Sequence, residues 1–275
     1  MRLEGKTALL TGATGGLGRA IAEALAGRGA RLVLSARKAE ALEELAASLP
    51  GDGHRTAVAD LGLEGAAERL GTEAGEVDVL VANAGMSSSG RLDSGSADDA
   101  ATVLRVNLEA PVLLAHALIP GMRERGEGHL VFVSSLQGKA PLPRSSLYSA
   151  SKFGLRGFSL SLRQDLQPDG VGSSVVLPGF IRDAGMFARS GQKAPAGLGT
   201  SSPAEVGAGV VEAIERDRAE VTIAPLLQRL GAGFAHRYPR VAARATRGSA
   251  GKAADRVIDA RREREREGHD GGGAR

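Results

Sequence analysis

An apolar run, a glycine-rich turn and a helical pattern follow one another near the amino terminus, and this succession constrains the fold most. Residues 7–10 have the apolar character of a buried strand, and residues 20–26 have a helical periodicity that Gly27 and Gly29 close. Between them, residues 11–18 read Thr-Gly-Ala-Thr-Gly-Gly-Leu-Gly. A strand that enters a helix through such a turn is typical of proteins that bind the pyrophosphate of a dinucleotide.

Three glycines of this turn have separate predicted tasks. Gly12 lets the chain turn, Gly16 lets the backbone approach the phosphates, and Gly18 lets the helix pack against the strand. The amide groups at the start of the helix, together with its dipole, favour a bound anion. An ordinary glycine-rich turn is the alternative, and the strand and helix on either side disfavour it. The residues that we expect to contact the cofactor here are Gly12, Thr14, Gly15, Gly16, Leu17 and Gly18.

The rest of the chain alternates strand and helix patterns with short links. Strand patterns cover residues 31–35, 56–59, 77–81, 130–133, 172–177 and 221–223, and helix patterns cover residues 39–49, 63–74, 101–125, 148–165 and 203–216. We expect an interruption of the third of these helices near Pro120 and Gly121. The alternation predicts an α/β fold with a doubly wound parallel sheet, the Rossmann fold. A single domain over residues 1–225 is expected, within a chain of 275 residues.

Two segments depart from this alternation. Residues 182–202 lack clear periodicity, and a segment of that length in a compact domain is often a lid over a site. Residues 226–275 are predicted to form a basic helical extension that ends in a Gly-rich stretch. Residues 228–275 carry 12 Lys and Arg against 6 Asp and Glu, so the overall net charge of +3 leaves −3 for the rest of the chain. Residues 257–267 predict a charged, solvated helix.

The extension begins with an apolar stripe at helical spacing, made by Leu226, Leu227, Leu230 and Phe234 and ended by Pro239. We expect this stripe to pack against the domain or against a second subunit. Because arginines flank it, contact with a membrane surface is an alternative.

The end of the second strand pattern bears on which dinucleotide binds. An acidic residue at this point would hold the ribose 2′-hydroxyl and select NAD. The sequence has Ala36 and Arg37 instead. Because a guanidinium matches a phosphate, we predict that Arg37 binds the 2′-phosphate and that NADP(H) is preferred over NAD(H).

Three polar residues of the second half have the spacing of an acid–base site. Tyr148 and Lys152 are four apart on a predicted helix and share one face. Ser135 follows a buried strand pattern, so we expect it at the carboxyl edge of the sheet, where open α/β sheets bind ligands. A phenol has a pKa of ~10, and an adjacent ammonium is expected to lower the pKa of Tyr148 toward the range of a general acid or base. Taken alone, the pair is more often a half-buried tyrosine beside a solvated lysine, and the other motifs of the chain change this balance.

These motifs together resemble the short-chain dehydrogenase/reductase family, in its compact branch of about this length. The resemblance covers residues 3 to about 225. It rests on Thr11-Gly12-x-x-x-Gly16-x-Gly18, Asp60, Asn83-Ala84-Gly85, Asn107, Ser135, Tyr148-x-x-x-Lys152 and Pro178-Gly179. The chain departs from the family at Ala82, where a first asparagine is usual, and at Asp183 and Ala184, where a threonine is usual.

The resemblance implies a role for each catalytic position. Tyr148 would exchange a proton with the substrate oxygen, and Lys152 would lower the pKa of Tyr148 and bind the nicotinamide ribose. Ser135 would hydrogen-bond the reacting carbonyl. Asn107 would hold a water in a proton relay, although a buried asparagine that bonds to backbone is an equally open interpretation.

The resemblance also implies further cofactor contacts. Asp60 and Leu61 would meet the adenine. Asn83, Ala84 and Gly85 would line the adenosine side, while Pro178, Gly179 and Ile181 would border the nicotinamide. The implied function is an NADP(H)-dependent oxidoreductase that interconverts a ketone or aldehyde and an alcohol by hydride transfer.

Two other functions compete with this one. A sensor or scaffold that binds NADP(H) without turnover is disfavoured, because such proteins tend to lose the tyrosine or the lysine. A serine acyl enzyme would use Ser149 and Lys152 as Ser-x-x-Lys, but the partner motifs Ser-Asp-Asn and Lys-Thr-Gly are absent from the sequence.

Composition excludes further classes of site. The chain has no cysteine, which removes disulfides, thiolate catalysis and Cys-based zinc sites. No metal site is expected, because the five histidines, His54, His116, His129, His236 and His269, lack ligand spacing. With 3% aromatic residues, no nucleic-acid binding is expected. The amino terminus lacks a signal-peptide pattern and no run reaches the length of a membrane span, so we expect a cytoplasmic protein. The resemblance favours a homo-oligomer formed through the helices that contain Asn107 and Tyr148.

Overall fold

In the computed structural model, residues 1–185 and 197–246 are described. Within them, seven strands form one sheet in the order β3-β2-β1-β4-β5-β6-β7, and every pair of neighbours is parallel. The strands are β1 (Thr7–Thr11), β2 (Arg31–Ala36), β3 (Arg55–Val58), β4 (Val79–Ala82), β5 (Gly128–Val133), β6 (Val171–Pro178) and β7 (Glu220–Ile223). The order reverses between β1 and β4, which is the topological switch point of a doubly wound sheet. The predicted fold class is confirmed.

Helices cover both faces of this sheet. In the described residues they are α1 (Gly16–Ala26), α2 (Ala39–Ser48), α3 (Ala66–Ala74), α4 (Ala97–Leu104), α5 (Ala110–Arg125), α6 (Ser146–Leu166), α7 (Pro203–Glu215), α8 (Leu226–Arg237) and α9 (Pro239–Thr246). Capping boxes start two of them: Ser96 caps α4 with Asp99, and Ser202 caps α7 with Glu205.

The central strands are buried on both faces, which is why they read as continuous apolar runs, whereas the edge strand β3 is mostly exposed. In β4, Val79 and Val81 point into one core, while Leu80 and Ala82 point into the other. The first core holds buried residues of α1, α2 and α7, and the second holds those of α3, α5 and α6. Because helices cover both faces of the sheet, polar site residues are accessible only at the carboxyl edge of its strands.

The long predicted helix over residues 101–125 is irregular at a different place from the one expected. The predicted interruption of the helix near Pro120 and Gly121 is wrong, because α5 continues through both residues to Arg125. Pro120 lies on the exposed side, as does His116, so water can bond the His116 carbonyl that a residue-120 amide would otherwise have used. The irregularity is instead a π-turn, Arg105–Glu109, between α4 and α5.

The helical stretch Ala97–Arg125 is long and apolar enough, by length and composition alone, to cross a membrane. Its most apolar window has a mean hydropathy of 1.4, and 44% of that window is buried inside the fold. Leu114, Ala115 and Met122 of this stretch are fully buried in the core under the sheet. This is weak evidence for a span, because the core helix of a globular domain passes the same test.

The extension is helical as far as it is described, but its stripe does not pack as expected. Leu226 and Leu230 are 69% and 60% exposed, so the prediction that the stripe packs against the domain is wrong. α8 packs through Gln228 and Ala232 on its other side. The predicted helix over residues 257–267, and residues 186–196 of the predicted lid, lie outside the described residues.

At the switch point, one side chain joins the ends of β1 and β4. The Thr11 hydroxyl, which is buried, accepts hydrogen bonds from the backbone amides of Asn83 at 3.1 Å and Ala84 at 3.0 Å. The Asn83 side chain donates back to the carbonyl of Thr11 at 3.0 Å. These bonds fix the segments that follow β1 and β4, which leave the sheet in different directions at the point where the strand order reverses.

We expect Thr11→Val to destabilise the fold, because it keeps the side-chain shape but leaves two backbone amides without their acceptor. Urea unfolding should give a loss of about 2–4 kcal/mol in the free energy of unfolding. Thr11→Ser keeps the hydroxyl and should lose only about 1 kcal/mol for the missing methyl group. An equal loss in the two variants would contradict this account of the switch point.

Candidate functional site

The predicted site residues follow the strands at a single edge of the sheet. Because all strands are parallel, the segments after β1, β2, β3, β4, β5 and β6 meet there, and they begin with Gly12, Arg37, Ala59, Asn83, Ser134 and Gly179. α6 brings Tyr148 and Lys152 to the same edge, where Lys152 bonds the last residue of β5. The structure thus brings the two halves of the predicted site together.

The glycine-rich turn has the geometry that two of its predicted tasks require. Gly12 has φ of +64°, and a Cβ on it would lie 2.9 Å from the Cα of Ala84. A Cβ on Gly18 would lie 2.1 Å from the Gly12 carbonyl oxygen, so α1 could not pack this closely on β1. α1 begins at Gly16 with no side-chain cap and no acidic residue in its first turn. This end of α1 fits the phosphates of a dinucleotide.

Gly16 makes a close approach within the protein itself. A Cβ on Gly16 would lie 2.5 Å from the Cβ of Ala184, in the segment after β6. Ala184 and Asp183 stand where the family usually has a threonine, and Asp183 is exposed with φ of +65°. The segment that follows Pro178 and Gly179 therefore runs back over the glycine-rich turn, held by a bridge between the buried Ile181 and Ser201.

The residues assigned to the adenosine side lie at the ends of β2, β3 and β4. Arg37 is exposed, and among the described residues its side chain makes no hydrogen bond or ion pair. Asp60 accepts a hydrogen bond from the Gly62 amide at 2.9 Å and so closes a turn, with Leu61 buried beside it. Gly85, after β4, is exposed. Ala82 is buried in the core, which leaves Asn83 as the asparagine at this edge.

Tyr148, Lys152 and Ser135 lie together beside the end of β5. Tyr148 is 9% exposed and Lys152 is 3% exposed. The Lys152 ammonium donates to the Val133 carbonyl at 2.9 Å and lies 5.7 Å from the centre of the Tyr148 ring. The Ser135 hydroxyl accepts from the Gln137 amide at 3.1 Å and interacts with the Tyr148 phenol.

A second serine, which sequence reasoning missed, fixes α6 against the end of β5. The buried Ser134 hydroxyl donates to the Lys152 carbonyl at 2.8 Å. Gly138 allows this contact, because a Cβ on it would lie 2.8 Å from the same carbonyl oxygen. The available signal was the adjacent pair of serines directly after an apolar strand, of which only Ser135 was singled out.

Burial is the main influence on the pKa values of Tyr148 and Lys152 in the protein without a bound cofactor. It raises the pKa of Tyr148 to about 12, against a smaller lowering by the Ser135 hydroxyl. It lowers the pKa of Lys152 to about 8. The expectation that Lys152 lowers the pKa of Tyr148 is therefore wrong for these contacts. The ammonium is directed at the Val133 carbonyl, and the phenolate loses more by desolvation than a neighbour at this distance restores.

Asn107 has a structural role that the sequence had left open. It is fully buried in the π-turn, and its amide pairs with both backbone groups of Met86, accepting from the amide at 2.7 Å and donating to the carbonyl at 2.9 Å. Its second N–H donates to the Ser151 hydroxyl at 3.2 Å. Both donors are used, so the implied water contact, which stays a prediction, is left to one lone pair of Oδ1.

Gln228 on α8 is a buried residue of the site's border that sequence reasoning missed. Its Oε1 accepts from the Phe180 amide at 3.1 Å, and its Nε2 donates to the carbonyls of Leu198 at 3.1 Å and Gly199 at 2.8 Å. It thereby ties together the segment after β6 and the segment before α7. The only signal was a glutamine inside a leucine stripe, beyond the reach of the family resemblance.

Comparisons with known proteins identify the family of this chain. A family model described as short chain dehydrogenase matches residues 6–195. The "Dehydrogenase/reductase SDR family protein 7-like" of Anopheles gambiae is 34% identical over 259 residues, covering 87% of this chain and 81% of the relative. The "Ketoacyl reductase HetN" of Nostoc sp. is 36% identical over 231 residues, covering 80% and 79%.

A solved structure shares the fold over most of both chains. The short-chain dehydrogenase from Sphingobium yanoikuyae in complex with NADPH aligns with a TM-score of 0.74 at 28% identity, covering 85% of this chain and 94% of that chain. By the family match, the relatives and the fold, this chain belongs to the short-chain dehydrogenase/reductase family.

Proposed function

We propose that this enzyme reduces a ketone or aldehyde to an alcohol, and catalyses the reverse reaction, with NADP(H) in preference to NAD(H). The observation that carries the proposal is the group formed by the half-buried Ser135 and the buried Tyr148 and Lys152, at the same sheet edge as an uncapped helix start on a glycine-rich turn. The ketoacyl reductase name of one relative and the NADPH complex of one solved neighbour support it.

In this proposal the protein's own groups manage the substrate oxygen and its proton. The nicotinamide supplies or accepts the hydride. Ser135 holds the carbonyl oxygen by a hydrogen bond, and Tyr148 donates its phenolic proton to that oxygen during reduction. A pKa raised to about 12 keeps Tyr148 protonated at neutral pH, so the phenol holds the proton that reduction requires. Ser135 supports the phenolate by its hydrogen bond until solvent returns the proton, and Lys152 binds the nicotinamide ribose.

Replacing Tyr148 by Phe should abolish turnover and spare cofactor binding, because only the exchangeable proton is lost. We expect a fall in kcat of about a hundredfold to ten-thousandfold, measured by NADPH absorbance on a panel of carbonyl compounds. The NADPH dissociation constant, from cofactor fluorescence, should change little. The chain has two tyrosines, and Tyr238→Phe serves as the matched control with unchanged turnover.

The same assay separates the two candidate functions. Turnover that survives in Tyr148→Phe would rule out the acid role of this phenol. NADPH binding by the native chain, without turnover on any compound of the panel, would favour the sensor or scaffold instead.

The cofactor preference can be tested at Arg37. We expect Arg37→Asp to lower the ratio of NADPH to NADH efficiency by about 10–100-fold, because a charge-assisted contact to the 2′-phosphate is lost and a like charge replaces it. Arg216→Asp makes the same charge change at the end of α7, next to the opposite edge of the sheet, and should leave the ratio unchanged. A ratio that stays constant in Arg37→Asp would refute the assignment of the 2′-phosphate to this residue.

The burial of Lys152 also predicts that its replacement raises the free energy of unfolding while it lowers the activity. The pKa of Lys152 is about 8 in the fold, against 10.5 for an exposed lysine. The charged form is therefore destabilising, fully so below pH 8 and not at all above pH 10.5. We expect Lys152→Met to raise the free energy of unfolding in urea by about 1–3 kcal/mol at pH 7, despite the lost bond to Val133.

This gain should fade as the pH rises from 8 to 10.5, and turnover at neutral pH should be lost. Lys38→Met, at an exposed lysine, is the control and should change neither quantity. Loss of stability in Lys152→Met at pH 7 would show that the ammonium is compensated in the native state.

A further inference from the structure

The outer side of α8 and α9 has an exposed apolar surface, which we call the α8–α9 face. The chain of 275 residues leaves few large apolar side chains exposed in its described part, and half of those lie on this face. Its members are Leu226, Leu227, Leu230, Phe234, Tyr238 and Val241, with exposures of 69%, 53%, 60%, 49%, 51% and 50%. A contiguous apolar patch on an otherwise polar surface marks an interaction site.

The charges around the α8–α9 face have one sign. No Asp or Glu occurs from residue 221 to 246, whereas four arginines do: Arg229, Arg237, Arg240 and Arg244. Within the described part of the chain, none of these guanidinium groups forms an ion pair. The surface is thus apolar at its centre and uncompensated positive at its border.

The opposite side of α8 is fixed to the domain. Gln228 and Ala232 are buried there, and the three side-chain hydrogen bonds of Gln228 hold the helix against the segments after β6 and before α7. A rotation that buried Leu226 or Leu230 in the domain would break these bonds. The face therefore remains turned outward in the folded chain.

The composition of the remaining chain argues against internal cover. Residues 247–275 contain two large apolar residues, Val257 and Ile258, and residues 186–196 contain two more, Met186 and Phe187, against the six of the face. A second copy in a two-fold contact would place the same arginines opposite one another, with no acidic residue of the face to separate them. An anionic lipid surface satisfies both features, since phosphate groups pair with arginine and the acyl boundary takes the apolar side chains.

We propose that the α8–α9 face docks the protein peripherally on an anionic lipid bilayer. The apolar side chains enter the boundary between headgroups and acyl chains, and the four arginines contact lipid phosphates. Leu226 and Leu230 also line a cavity of about 450 Å³ whose other wall includes Leu136, the residue after Ser135. The rest of this groove is lined by Lys139, Glu220, Thr222, Arg229 and Gly233, so the docked face adjoins a groove of mixed polar and apolar lining.

The test is sedimentation of the full chain with two kinds of vesicle, phosphatidylcholine alone and phosphatidylcholine mixed with phosphatidylserine. We expect binding to the mixed vesicles that weakens as salt is raised. Leu230→Glu with Phe234→Glu should lower the partition coefficient at least tenfold. Arg237→Gln and Arg240→Gln should each lower it roughly fivefold on the mixed vesicles.

Leu63→Glu is the matched control, because Leu63 is 62% exposed and lies outside the α8–α9 face; it should bind as the native chain does. Urea unfolding of each variant confirms that exposed substitutions leave the fold intact. Equal, negligible sedimentation with both vesicles would overturn the proposal, as would a loss in Leu63→Glu equal to that of the glutamate pair. A different result would assign the face to a second copy of the chain. In that case no vesicle binding is seen, and light scattering finds a dimer that dissociates in the variant carrying Leu230→Glu and Phe234→Glu.

Discussion

The whole structure depends on one constraint, which is that a parallel sheet covered by helices on both faces can expose polar groups to solvent only at its edges. Buried strands such as β4 are apolar at every position, and their backbone bonds are used by the neighbouring strands. The carboxyl edge is widest between β1 and β4, where the order of the strands reverses. There the Thr11 hydroxyl supplies the acceptor that the amides of Asn83 and Ala84 would otherwise lack. The dinucleotide site follows from this opening.

The same burial that shapes the edge sets the chemistry of the acid–base group. Tyr148 and Lys152 each hold their less charged form more firmly than in water, since burial raises the pKa of the phenol and lowers that of the ammonium. A hydrophobic side chain at position 152 would fill this space with less cost to the free energy of folding. Stability alone therefore does not explain a buried lysine whose ammonium has the Val133 carbonyl as its hydrogen-bond partner.

Much of the fold could be predicted from the sequence because its signals are local. Apolar runs mark the buried strands, and glycines at Gly12 and Gly18 are required by a positive φ and by a close helix approach. The grouping of Ser135, Tyr148 and Lys152 could be predicted because its spacing is set by one helix and one strand end. The partners of Asn107 could not, since Met86 offers only backbone groups, which any residue carries. The pKa of Tyr148 could not either, because it depends on how completely the finished fold excludes water.

α8 illustrates why the extension belongs to the architecture of the site although the family resemblance ends before it. A helical stripe indicates that one side is apolar, but it does not indicate which side faces the domain. The buried side is chosen by Gln228, whose amide can satisfy the Phe180 amide and two carbonyls at once, whereas a leucine there would leave all three unbonded. The leucines are consequently turned outward. The segment that follows Gly179 and the exposed apolar face thus lie on two sides of one helix, and Gln228 fixes which side is which.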